Sequence, residues 1–92
     1  MRYTILIAFA TDRELREILV YHRRQISETI AQLLSTEPKK ESRSRIKRLR
    51  GPTSAVYRLR AGDFRVFYDV KGSTVTILHV RHKNRCAEFY WG

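Results

Sequence analysis

The sequence predicts an α+β domain in which two N-terminal helices pack on a small, mainly antiparallel four-stranded sheet, in the order β-α-α-β-β-β. Three observations predict it. An apolar, β-branched run from Tyr3 to Phe9 precedes two segments whose apolar residues recur at helical spacing. Two turn signals, Ala61-Gly62-Asp63 and Lys71-Gly72-Ser73, divide the second half into β-rich runs. Successive hairpins make an antiparallel meander, and helices with one apolar stripe must lie on a face of it. Ninety-two residues give one domain, 1–92, with a single modest core, so a functional site must lie on that core's surface or at an interface.

Each element has its own signal. In the first strand Tyr3, Ile5, Ile7 and Phe9 alternate onto one buried face. Thr11-Asp12-Arg13-Glu14 has the spacing of a capping box, so a helix is expected to start there, with Leu15, Ile18 and Leu19 as its stripe. Ile26, Ile30, Leu33 and Leu34 form the stripe of a second helix, and the joint is expected within Val20 to Arg24. One long kinked helix is the alternative. Ser35 to Ser44 lacks apolar residues, and Pro38 closes the helix before it, which predicts a mobile basic loop. Gly51-Pro52 turns the chain into the ribbon Val56 to Tyr68, and Thr74 to Val80 is the last β-rich run.

Charge narrows the function. The net charge is +10, which favours a polyanion or an acidic protein as partner. Residues 39 to 85 carry fourteen Lys or Arg against three acids, whereas residues 1 to 38 carry five against five, so the second half is expected to face the partner. In the ribbon VYRLRAGDFRVFY, Tyr57, Leu59, Phe64, Val66 and Tyr68 alternate with Arg58, Arg60 and Arg65. Guanidinium meets phosphate with two parallel hydrogen bonds and keeps its charge, so these three arginines form a candidate phosphate surface. Lys47, Arg48 and Arg50 precede it, Arg81 and Arg85 follow it, and all five are candidate nucleic-acid contacts. The apolar N-terminal run is too short for a membrane span. The single cysteine, Cys86, excludes an internal disulfide and a multi-cysteine metal site; it points to a reducing cytoplasm and reads as a small packing residue.

The order of elements, the turn Leu49-Arg50-Gly51, the run YRLRAGDFRVFY and the ending HVRHKNRCAEFY resemble the RelE/ParE superfamily of bacterial toxins from toxin–antitoxin pairs. The resemblance spans the chain, with its specific part in residues 49–90. It implies an antitoxin partner and, for RelE-like members, cleavage of mRNA on the ribosome, against its 16S rRNA, without metal or cofactor. ParE-like members instead inhibit DNA gyrase. In the RelE-like pattern Arg65 matches the arginine that stabilises the transition state, and Lys83 matches a cation at the end of the last strand. Arg58 stands where the pattern has its second strand lysine, and Val56 stands where the first belongs. The closing aromatic is Phe89 by spacing or Tyr90 by chemistry.

Arginine cannot accept a proton, so Arg58 can clamp a phosphate but cannot act as base. His82 titrates near neutrality among cations that would keep it neutral, which makes it the candidate base, with Tyr90 or Lys83 as acid. Glu88 is a second candidate. His79 reads as half-buried and hydrogen-bonded, and His22 as a surface residue. Phe67, in phase with Arg65, and the pair Tyr90-Trp91 are candidates for stacking on bases. An acidic, partly disordered antitoxin segment would cover Arg58, Arg60 and Arg65.

Overall fold

A computed structural model describes residues 2–51 and 55–86. The elements in chain order are β1 (Thr4–Ile7), α1 (Phe9–Arg16), α2 (Val20–Leu33), β2 (Ile46–Arg48), β3 (Tyr57–Ala61), β4 (Phe64–Lys71) and β5 (Thr74–His82), followed by a short 3₁₀ turn, Lys83–Arg85. The α+β class is as expected, but the sheet has five strands, ordered β1-β5-β4-β3-β2. The added strand is β2, which the sequence reading left inside a basic run. It contributes one buried apolar residue, Ile46, and is recruited by antiparallel pairing with β3 rather than by its own pattern. β1 pairs parallel to β5, and the other pairs are antiparallel.

The core lies between α2 and the sheet. Ile26, Ile30 and Leu34 meet Ile46, Leu59, Val66, Tyr68, Val75 and Ile77. The four-residue spacing of these helix residues puts them on one stripe, and strand alternation puts their partners on one sheet face. The alternation in β1 works only partly. Tyr3 and Ile5 pack against the core, whereas Ile7 is half exposed and Phe9 has left the strand for the helix.

The first helix corrects the capping-box assignment. It begins at Phe9, with Ala8 extended before it and no side-chain cap. Thr11 lies inside the helix, and its buried hydroxyl donates to Ile77 O at 3.0 Å. Glu14 reaches the same strand, where its carboxylate accepts from Val80 N at 3.1 Å. Beyond Ile77, β1 no longer accompanies β5, so these two side chains satisfy a strand edge instead of a helix end. The joint between helices falls at Glu17–Leu19, before the expected Val20–Arg24. Leu19 is extended there (ψ 143°), which leaves Ile18 packed on the core.

The segment after α2 is pinned rather than mobile. Pro38 is fully buried, and its carbonyl accepts from the Tyr68 hydroxyl at 2.6 Å. The Ser42 hydroxyl accepts from the amides of Arg45 and Ile46, and Glu41 accepts from Arg48 N at 2.9 Å. Burial, joined by Tyr57, pushes the Tyr68 phenol well above its ordinary range, with Arg58 opposing. Because the folded pKa exceeds the unfolded one, the stability that Tyr68 contributes is fully present below pH about 10 and is lost as pH rises above it. Urea unfolding at pH 8 and pH 10.5 is expected to show this alkaline loss in wild type and a smaller loss in Tyr68→Phe. An equal loss in both would place its source elsewhere.

Candidate functional site

Cross-strand register sorts the basic residues into two rows on the sheet face opposite the main core. Arg60, Arg65 and Arg81 stand directly opposite one another across β3, β4 and β5. Lys47, Arg58, Phe67 and His79 form the neighbouring row across β2 to β5. Like charges placed directly opposite are destabilising, so three arginines in register are costly to the fold. Arg48 is different. It pairs with Tyr57 and therefore sits on the other face, although it is exposed. Arg50 and Arg85 are exposed beyond the strands.

This face is open at one side and covered at the other. A second cluster of Ala55, Phe67 and Cys86, with Leu49 and Leu78, packs against it. Phe67 is therefore fully buried and presents no ring for stacking on a base. A register shift in β5 beside Phe67 and Tyr68 accompanies this packing. The three ribbon arginines are graded in consequence: Arg60 is exposed, Arg58 is half-buried and Arg65 is only 7% exposed. The Arg58 Nε is buried with no hydrogen-bond partner among the described residues. Burial also pushes the Cys86 thiol up, against the pull of Arg65, Arg81 and Arg58, so it stays protonated and packs as expected.

The hairpin tip Gly62-Asp63 brings the candidate catalytic residues together. Arg65 Nη1 donates to Gly62 O and Phe64 O, both at 2.9 Å. The Lys83 amide donates to Asp63 O at 2.8 Å, and its ammonium stands 3.6 Å from Asp63 Oδ1. Gly62 is required at this tip. Its φ is +62°, and a Cβ there would meet Gln25 Oε1 of α2 at 2.8 Å. His82 sits edge-on to Phe64, and its Nδ1 accepts from Asn84 N at 3.2 Å. A neutral ring held this way carries its proton on Nε2. Tyr90, Glu88, Phe89 and Trp91 lie outside the described residues.

Glu14 is the residue that the sequence reading placed in the wrong role. Its Oε2 accepts from Arg81 Nε at 3.1 Å, and its Oε1, which also binds Val80 N, stands 3.5 Å from His79 Nδ1. The Thr-x-x-Glu spacing was the signal; the strand it serves was not legible. A groove of about 630 Å³ opens beside it, lined by Glu14 of α1 and Glu17 just after it, by Phe64, and by Arg81, His82 and Arg85. Among the described residues no group of three or more His, Cys, Asp or Glu side chains is placed to hold a metal ion. No described helix is long and apolar enough to cross a membrane.

Three comparisons bear on this arrangement. The family model for the ParE toxin of the type II toxin–antitoxin system parDE matches residues 7–86. No curated protein matches the chain. Among solved structures, the archaeal RelE–RelB complex from Pyrococcus horikoshii shares 27% identity at a TM-score of 0.73, over 92% of this chain and 99% of that one. The toxin–antitoxin complex RelBE2 from Mycobacterium tuberculosis also shares 27% identity, with a TM-score of 0.75 over 89% of this chain and 99% of that one. A mutant of the Escherichia coli toxin RelE in the free state shares the fold at 22% identity, with a TM-score of 0.72 over 97% of this chain and 90% of that one.

Proposed function

The chain belongs to the RelE/ParE family of type II toxin–antitoxin toxins, and from that premise we propose that it is a ribosome-dependent, metal-independent mRNA endonuclease of RelE type. One observation carries the reading. Arg60, Arg65 and Arg81 stand in direct register on one face, an alignment that costs stability and gains purpose when a phosphate backbone lies across it. The similarity to RelE toxins solved with their RelB antitoxins supports an antitoxin as the second partner.

In this reading the ribose 2′-oxygen attacks phosphorus and the bond from phosphorus to the 5′-oxygen breaks, which leaves a cyclic phosphate. Arg58 and Arg60 hold the backbone. Arg65 and Arg81 add fixed positive charge where the phosphorane becomes more negative. His82, whose Nδ1 accepts from the Asn84 amide, presents Nε2–H as a hydrogen-bond donor to the scissile phosphate. Of Lys83 and Tyr90, the remaining titratable groups of the pattern, one takes the 2′ proton and the other protonates the departing 5′-oxygen. In this reading His82 is a phosphate contact rather than the base, because its Nε2 already carries the proton of the neutral ring.

Gyrase inhibition by binding alone is the second reading. The departure of Val56 from the lysine pattern and the burial of Arg65 favour it, since a pure binder needs no proton carriers. The deciding experiment adds the purified protein to a translating extract with a defined mRNA and maps new 3′ ends with and without ribosomes. Cuts within codons that require ribosomes are the expected result. Intact mRNA from folded protein would transfer the assignment to gyrase inhibition or to an inactive RNA-binding homologue.

A further inference from the structure

The outer edge of β1 is open. In the ladder with β5, Thr4 N donates to Ser73 O at 2.8 Å and Ala8 N donates to Ile77 O at 2.9 Å. Strand alternation turns Leu6 the same way and turns the amides and carbonyls of Ile5 and Ile7 outward. Tyr3 also faces outward, and Ser35 O takes its amide at 2.8 Å. The described residues give Ile5 and Ile7 no such partner. The side chains agree with the backbone: Leu6 is 52%, Ile7 51% and Phe9 94% exposed.

The two sheet edges differ in kind. β2 carries Lys47 and Arg48, the charged residues by which natural sheets discourage edge pairing. β1 reads Thr-Ile-Leu-Ile, with no charge, proline or bulge. A partner recruited by charge would find its match on the arginine face. The β1 edge offers no charge to match, and its pattern of outward groups is complementary to itself.

We propose that β1 is a self-association surface through which two copies pair antiparallel about a two-fold axis. The outward groups fix the register. Ile5 stands opposite Ile7 of the second copy as a hydrogen-bonded pair, twice over, and Leu6 meets Leu6 of the second copy at the axis in the close, non-bonded position. The pairing spans Thr4 to Ala8, because Ser35 O already takes the Tyr3 amide and Phe9 begins α1. The net charge does not oppose this. Strand spacing of about 4.8 Å places the β3 arginines of the two copies roughly 30 Å apart, several Debye lengths at physiological salt. The charged β2 strands end the ten-stranded sheet on both sides, so the assembly closes as a dimer. Both arginine faces remain open in it.

Sedimentation velocity of the purified chain is expected to show a concentration-dependent monomer–dimer equilibrium. Leu6→Lys is expected to abolish the dimer and leave the melting temperature unchanged, because the side chain is half exposed. Under mild oxidation Leu6→Cys is expected to form a disulfide-linked dimer, whereas Thr4→Cys, which lies off the axis in this register, is not. A wild-type chain that stays monomeric up to its solubility limit, as it would if another protein's strand occupies this edge, overturns the proposal. Equal cross-linking at positions 4 and 6, or a dimer that survives Leu6→Lys, overturns it as well.

Discussion

Glu14→Ala is expected to destabilise the fold by about 3 kcal/mol, a large effect for one partly exposed side chain. The carboxylate accepts from two groups of β5, the Val80 amide and the Arg81 guanidinium, and stands 3.5 Å from the His79 ring. Removing it leaves the Val80 amide without its partner at the strand edge beside α1. It also leaves Arg81 opposite Arg65 without its acidic partner. Hydrogen bonds to a charged group contribute about 1.5–3 kcal/mol each, and neighbouring losses do not add in full. Glu14→Gln keeps an oxygen for Val80 N and is expected to cost about 1 kcal/mol. Urea unfolding measures both. A Glu14→Ala value within about 0.5 kcal/mol of wild type would mean that α1 covers the β5 edge without this contact.

The second large effect is functional. Arg58→Ala combined with Arg60→Ala is expected to reduce ribosome-dependent mRNA cleavage about 100-fold, the scale of losing a preorganised cationic contact in the transition state. The melting temperature is expected to hold or rise, because Arg60 faces Arg65 and Arg58 faces Lys47 across the strands. Arg48→Ala is the control, since it removes the same charge from the other sheet face. An equal loss from Arg48→Ala would show that net charge, not the register of the rows, governs activity.

The sequence carried the parts of the fold that rest on side-chain period. The stripe Ile26, Ile30, Leu34 and the hairpin turns at Gly62 and Gly72 follow from residue types that allow few alternatives. It did not carry β2, because three residues with one apolar side chain have no period, and their pairing depends on β3 lying beside them. The Thr11–Glu14 pair shows a subtler limit. The spacing said that orphan backbone groups would be satisfied, but a helix end and a strand edge both present such groups, and only the tertiary arrangement decides between them. At the candidate site, alternation put Arg58, Arg60 and Arg65 on one face. The burial of Arg65 and Phe67 was not legible, because it depends on Ala55, Leu49 and Cys86 folding over that face from far along the chain.

The parallel pair of β1 and β5 joins Thr4 to Thr74, segments far apart in the chain. The hairpins of β3, β4 and β5 need only local closure, whereas β1 must wait for a strand some seventy residues away, and such distant contacts form late. α1 and its Glu14 contact wait with it. The corner that holds Arg81 and His82 is thus completed late in folding, after the hairpins that carry it have closed.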